Sequence, residues 1–278
     1  MSIRTIGLAL LSVESTEWLT TAACALAQAN EAHVIGVHAA DPIIPYMSEA
    51  VYDPVLAPEF LDWQVEEALA TRTSFEAVVK RAGVTAEFRG QEIGLNAEAF
   101  LLDGLRACDL IVSPALEQRS LTEVNRHLQE QLIRNSGRPV LVLPQKHPIM
   151  GPVMRLMIGV SPTREATRAA HDALMLAGPG AAIDLVSVTP ASQPRRMSFD
   201  FRQDLAAAFD RLGFKVNLVD RDGRAGETGE VLMTTALELG AELVVTGAFG
   251  HSRSYDFIVG AATSYLLDHA HRPVLYAK

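Results

Sequence analysis

Residues 242–250 read ELVVTGAFG, and residues 260–275 read GAATSYLLDHAHRPVL. The first segment is a short apolar strand followed by Thr246 and by two glycines three positions apart. The second segment begins with a third glycine, continues with apolar residues at helical spacing and ends in another apolar strand. This order of strand, glycine turn, helix and strand indicates a parallel α/β sheet, because parallel neighbours need a connection of helix length.

The same features occur earlier in the chain. Arg138-Pro139-Val140-Leu141 returns at residues 272–275, and Asp109-Leu110-Ile111-Val112-Ser113 is matched by residues 242–246. The apolar run that ends around Leu11 is matched by residues 155–160. An internal repeat of this length predicts two copies of one supersecondary unit. We therefore expect two α/β domains, a degenerate one over residues 1–147 and a better preserved one over residues 153–278.

Strands and helices alternate throughout the second copy. The predicted elements are strand Leu156–Val160, helix Arg164–Ala177, strand Ile183–Val188, helix Phe199–Leu212, strand Lys215–Val219, helix Gly229–Leu239, strand Leu243–Thr246, helix Ala262–Ala270 and strand Val274–Ala277. Such βα units are right-handed, and the loops at the carboxyl ends of their strands form the usual ligand crevice. The first copy is expected to run in parallel with the second.

Composition, charge and residue spacing argue against several classes of function. The 278 residues carry a formal net charge of −9 with a pI near 5.4, which argues against nucleic acid as the main partner. No apolar run reaches the length of a membrane-spanning helix, and no secretory signal is recognisable. The two cysteines are far apart, and His269 and His271 are too close in sequence to share a helix face. We expect a cytoplasmic protein with neither a membrane partner nor a metal site.

The glycine-bearing loop is the segment best suited to bind a ligand. Gly247 and Gly250 can turn the backbone and bring amides close to an anion, and His251, Ser252 and Arg253 add side-chain donors. Gly260 opens a helix, whose first amides are unpaired and electropositive and suit phosphate. The same residues would also serve as a tight turn followed by a helix start. From the residues alone, both interpretations stay open.

The spacing G-x2-G-x9-G, followed by Pro273-Val274-Leu275, resembles the nucleotide-binding signature of the universal stress protein family. Residues 159–166 (GVSPTREA) resemble its first strand and turn, and residues 229–245 its third helix and fourth strand. The first copy resembles the family more faintly. The resemblance implies a tandem member with two five-stranded parallel sheets of the adenine-nucleotide α-hydrolase-like, Rossmann-like type. Pairing through the last strand, which joins two family chains into a dimer, would here occur within one chain as an internal pseudo-dimer.

The resemblance also implies a function: an adenine-nucleotide-binding module for stress response or signalling, with the site in the second copy. ATP is the expected ligand, with ADP or AMP as alternatives. The residues implied in binding are Ser161, Pro162, Thr163, Val188, Gly247, Gly250, His251, Ser252, Gly260, Ala261, Ala262 and Thr263. The glycine-rich segment at residues 223–229 is predicted to be a flexible connector leading into a helix; the resemblance implies that it lies near the ligand, so a secondary contact also stays open. No general base is evident, so we do not expect an enzyme, although slow ATP hydrolysis stays open.

Departures from the family pattern leave alternatives to ATP binding open. ATP-binding members carry an aspartate where Ser161 stands and a serine or threonine where Ala261 stands. If these changes abolish binding, the chain has no cofactor and acts as a nucleotide-free interaction protein through its dimer surface. A protein partner and a homodimer of whole chains also stay open. An ATP-using hydrolase of the same superfold is disfavoured, because its SGGxDS-type pyrophosphate loop is absent.

The first copy departs further. Ser113-Pro114-Ala115-Leu116-Glu117 stands where Thr246–Gly250 stands in the second, so a proline replaces one glycine and a glutamate the other. Proline lacks an amide donor, and the carboxylate would repel phosphate. Residues 1–152 carry 11 basic and 19 acidic side chains, against 13 and 14 in residues 153–278. An anionic ligand should therefore prefer the second copy, and we expect the first to be structural or partner-binding.

Overall fold

The structure is a computed structural model that describes residues 2–39, 56–91, 96–116, 123–189, 200–224, 226–250 and 260–278. Strands and helices alternate along both halves. The first half comprises β1 Thr5–Ala9, α1 Val13–Asn30, β2 His33–His38, α2 Leu56–Ala82, β3 Ala86–Gly90, α3 Ala97–Leu105, β4 Leu110–Pro114, α4 Glu123–Asn135 and β5 Val140–Leu143. The second comprises β6 Val153–Gly159, α5 Arg164–Asp172, β7 Ala177–Thr189, α6 Phe201–Arg211, β8 Lys215–Asp222, α7 Thr228–Glu238, β9 Leu243–Gly247, α8 Ala261–His269 and β10 Val274–Ala277.

The ten strands of the described residues form one sheet in the order β3-β2-β1-β4-β5-β10-β9-β6-β7-β8. Neighbouring strands are parallel except β5 and β10, which pair antiparallel with Leu141 opposite Leu275. Each half contributes five parallel strands in the same internal order. The expected α/β fold with two five-stranded parallel units is confirmed, and the last strands pair within the chain as predicted.

Equivalent hydrogen bonds repeat in the two halves. Leu10 N donates to Val37 O over 3.0 Å, and Val160 N donates to Val186 O over 2.8 Å. Ala115 N donates to Leu143 O and Ala248 N to Ala277 O, over 2.7 and 2.8 Å. These bonds lie at the same strand ends in each half, so the repeat seen in the sequence is also a repeat of backbone geometry.

The core lies on both faces of the sheet and continues across the β5–β10 junction. One buried cluster includes Leu8, Leu141 and Leu275, and the other includes Val140 and Tyr276. Residues alternate between faces along each strand, so β5 and β10 contribute to both clusters. No helix in the described part of the chain is long and apolar enough to cross a bilayer.

The largest difference from the predicted element boundaries lies between α5 and β7. Helix α5 ends at Asp172 and a short 3-10 helix covers Ala173–Met175, whereas the pattern predicted an α-helix to Ala177. Strand β7 starts at Ala177, with Gly180 at φ +72° and a shift in its register against β6. The small residues at 177–182 therefore form the beginning of a long strand, which begins six residues earlier than its apolar run.

Candidate functional site

A cavity of about 340 Å³ opens at the carboxyl ends of the strands in the second half. Strand β6 lies between β7 and β9 there, and the chain crosses to opposite sides of β6 to reach them. In open α/β sheets, this reversal of strand order leaves a crevice in which ligands bind. The position and size of the cavity are those of a small-molecule site.

The N-terminal ends of three helices border the cavity. The lining residues at these ends are Thr163, Glu165 and Ala166 at α5, Thr228 at α7 and Gly260–Thr263 at α8. Gly260 caps α8 with φ +91° and offers no side-chain hydrogen bond to its first turn. The first amides of a helix have no partner within the helix and form its electropositive end. The start of α8 is consequently suited to bind an anion in the described cavity.

Nine of the twelve predicted site residues line this cavity: Ser161, Thr163, Val188, Gly247, Gly250, Gly260, Ala261, Ala262 and Thr263. Pro162 is exposed and is not part of the lining. His251 and Ser252 lie outside the described residues, as does Arg253. The structure thus brings together segments that are about 100 residues apart in the sequence.

Two amides of the glycine loop do not point to the ligand space. Ala248 N donates to Ala277 O over 2.8 Å, and Phe249 N donates to Thr263 Oγ1 over 3.2 Å. Thr263 is 3% exposed. The amides of Ala248 and Phe249 are therefore not free to bind a ligand. The Thr263 hydroxyl oxygen, which the sequence predicted to contact a ligand, already accepts a hydrogen bond from this loop.

Gly247 has a packing role that the sequence did not predict. A Cβ atom on Gly247 would lie 2.5 Å from Ala166 N and 2.6 Å from the carbonyl carbon of Glu165. Such distances are impossible for a real side chain, so glycine is required for β9 to pass the first turn of α5. Gly247 brings α5 against the cavity wall while still bordering the cavity.

Sequence reasoning missed several lining residues. Glu165 is 8% exposed, and its Oε2 lies 3.2 Å from the place where a Cβ of Gly250 would stand. Its Oε1 accepts from Arg164 Nη2 over 3.1 Å. Arg224 is exposed and also lines the cavity; it belongs to the glycine-rich loop that the resemblance had already placed near the ligand. Glu165 is the second residue of α5. It lies in the segment GVSPTREA, whose resemblance to the family's first strand and turn could have indicated that it is near the site.

The cavity also has an apolar side. Val186, Val188 and Leu232 line it near the end of β7, away from the glycines that follow β9. Neighbouring strands are about 4.8 Å apart, so β7 and β9, on either side of β6, are separated by about 10 Å. The cavity therefore offers an apolar wall for a flat ring at one side and helix amides at the other.

The corresponding crevice of the first half is bridged by side chains of α4. Gln129 Nε2 donates to Ser113 Oγ over 2.9 Å and to Pro114 O over 2.8 Å, at the end of β4. Asn125 Nδ2 donates to Leu11 O over 3.2 Å, just after β1. Both side chains are buried. Glu117, the predicted repulsive group, lies outside the described residues, but these two amides already connect the strand ends between which a ligand would enter.

Comparison with known proteins gives a family match for the second half and structural matches for the whole chain. Residues 152–278 match the sequence model of the universal stress protein family. A universal stress protein from Archaeoglobus fulgidus DSM 4304 aligns with 100% of this chain and 97% of its own, with a TM-score of 0.68 and 13% identity. A chain provisionally described as a universal stress protein, from Pseudomonas aeruginosa UCBPP-PA14, aligns over 99% and 93%, with a TM-score of 0.54 and 16% identity. At these identities the structural likeness shows the fold alone. No match is found among curated proteins.

Proposed function

Because residues 152–278 belong to the universal stress protein family, within a chain that has a tandem fold of this type, we propose that the second half binds an adenine nucleotide. The observation that carries the proposal is the cavity at the strand-order reversal, where the predicted glycines meet the start of α8, whose N-cap Gly260 makes no side-chain hydrogen bond. Anions bind at such helix starts without any basic side chain. The apolar wall near Val188 would receive the adenine ring.

The ligand would lie across the end of β6. Its base would contact the β7 side and its ribose would pass Ser161 and Thr163, whose hydroxyls are 3.1 Å apart. A phosphate would reach the start of α8 beside Gly250. Ser161 supplies a hydroxyl where an aspartate would supply charge, so we expect weaker binding than a carboxylate would give at this position.

We infer a binding and signalling role, in the cytoplasm, rather than catalysis. The competing idea, a nucleotide-free protein that acts through the last-strand dimer surface, is disfavoured because β5 and β10 already pair with each other within the chain. A partner would have to use another surface. A homodimer of whole chains stays a prediction.

The experiment that tests the proposal uses the full chain purified without added nucleotide. The protein is denatured, and the supernatant is chromatographed for adenosine, AMP, ADP and ATP; the refolded or untreated protein is then heated with each compound. A ligand at a hundredfold its dissociation constant stabilises the native state by about 2.7 kcal/mol, which shifts the melting temperature by several degrees. Absence of released ligand, together with unchanged melting temperatures, would refute the proposal.

A further inference from the structure

A carboxylate occupies the phosphate side of the cavity. Glu165 is in the first turn of α5, its side chain is 11% exposed, and Oε2 lies against Gly250. The close approach of Gly247 to the backbone of Glu165 and Ala166 fixes this first turn at the end of β9. The backbone of Glu165 is therefore held at this position, and its side chain lines the cavity.

Little in the described surroundings neutralises this charge. Its ion-pair partner, Arg164, is 79% exposed, and exposed pairs of this kind are weak because water screens them. The positive end of α5 stabilises the carboxylate, and the same electropositive end is then less available to an incoming anion. Arg224 also lines the cavity, but it is exposed, so water screens its charge.

We propose that Glu165 makes this cavity select adenosine over ATP. The inference rests on the proposed function, because it concerns which adenine compound that site accepts. A triphosphate brings several negative charges next to a carboxylate that is shielded from water, where repulsion between like charges is strong. Adenosine brings no charge to this carboxylate; its ribose hydroxyls can donate hydrogen bonds to it, but ATP carries the same 2′- and 3′-hydroxyls, so the discrimination comes from the phosphates. AMP, with a single phosphate, falls between them.

The test is titration calorimetry of the full chain with adenosine, AMP and ATP, each with and without Mg²⁺. Wild type is expected to bind adenosine more tightly than ATP. Glu165→Gln keeps the shape of the side chain and removes its charge, so ATP affinity should rise at least about tenfold while adenosine affinity changes much less. Glu76→Gln is the matched control: Glu76 is also paired with a neighbouring arginine, on α2 of the first half, and its ratio of affinities should equal that of wild type.

Each other outcome has a definite meaning. An unchanged ratio of ATP to adenosine affinity in Glu165→Gln overturns the inference and leaves the proposed function standing. A second outcome would also overturn the inference and leave the proposed function standing. In that outcome wild type prefers ATP only when Mg²⁺ is present, and Glu165→Gln loses this preference. The carboxylate would then hold the cation of a metal–nucleotide complex. If none of the three compounds binds either protein, the proposed function fails and the inference fails with it. Circular dichroism and the melting temperature report whether the variant is folded.

Discussion

Three glycines of one motif have three physical roles in this molecule. Gly247 permits backbone contact between β9 and α5, Gly250 leaves room beside the Glu165 carboxylate, and Gly260 adopts φ +91° to start α8. The spacing predicted that these positions require glycine, but it did not predict the physical reason at each position. That distinction depends on α5, about 80 residues earlier, whose approach to β9 no local pattern specifies.

Gly247→Ala tests the packing role. The added methyl group would overlap Ala166 N at 2.5 Å, so β9 and α5 must separate, and overpacking of this kind costs about 1–3 kcal/mol or more. The measurement is the free energy of unfolding in urea. Gly151→Ala is the control, since a Cβ there meets nothing within 4 Å. Equal stability of the two variants would show that Gly247 is not held against α5.

Gly250→Glu tests the ligand side of the loop. It copies Glu117 of the first half and would place a second carboxylate next to that of Glu165. We expect nucleotide binding to be lost, because two adjacent carboxylates repel phosphate, while far-ultraviolet circular dichroism stays as in wild type. Calorimetric titration with AMP measures the loss. An affinity equal to that of wild type would place the phosphate elsewhere.

At the scale of elements, α8 and α4 show how the two halves diverged. In α8, Thr263 accepts from the Phe249 amide and leaves the cavity open. In α4, the longer Gln129 reaches Ser113 and Pro114 across the strand ends, and Asn125 reaches Leu11. Side chains of α4 thus connect strand ends of the first half, whereas Thr263 of the equivalent helix α8 bonds to the glycine loop beside the cavity.

Thr263→Val removes the acceptor of the Phe249 amide while keeping the side-chain volume. A buried donor left without a partner costs about 1–3 kcal/mol, so the free energy of unfolding should fall by that amount. Thr263→Ser keeps the oxygen and is the control, with a smaller loss. If valine and serine at position 263 gave the same unfolding midpoint in urea, the hydrogen bond would contribute nothing.

The order and type of the elements were predictable, because short apolar strands alternate with helical patterns in both copies. The start of β7 was not predictable from the sequence. Residues 177–182 are mostly alanine and glycine, and they acquire strand structure only by pairing with β6. The cavity was predicted through its glycines, and Glu165 was missed because an acidic residue in the first turn of a helix usually serves the helix dipole at the surface. Its burial follows from the packing of α5.

The whole molecule is joined at β5 and β10 and by side chains that cross between the halves. Arg126 of α4 contacts Asp268 of α8 over 2.6 Å, and the Arg134 guanidinium carbon lies 3.3 Å from the centre of the Phe249 ring. Phe249 is buried between the glycines of the candidate site at φ +50°. Tyr276 is fully buried at the junction, and burial raises the pKa of its phenol. The first half therefore supports the loop of the second.

Arg134→Ala tests this support. Loss of the cation–π contact should cost about 0.5–2 kcal/mol of stability, and adenosine should bind several-fold more weakly although Arg134 does not line the cavity. Arg134→Lys keeps the positive charge and should recover part of both losses. The exposed Arg81, replaced by alanine, is the control for loss of an arginine in the first half. Unchanged adenosine affinity in Arg134→Ala would mean that the two halves share a sheet but do not influence the site.

Photoaffinity labelling with 8-azidoadenosine, followed by peptide mapping of the intact chain, tests the central claim most directly. An adenine compound bound in the proposed cavity is expected to label peptides that contain residues 159–188 or 223–263, and unlabelled adenosine should compete for that labelling. Competed labelling confined to peptides of residues 1–147 would contradict the assignment of the site to the second half. Labelling that adenosine does not reduce, wherever it falls, would contradict the claim that the cavity binds an adenine compound.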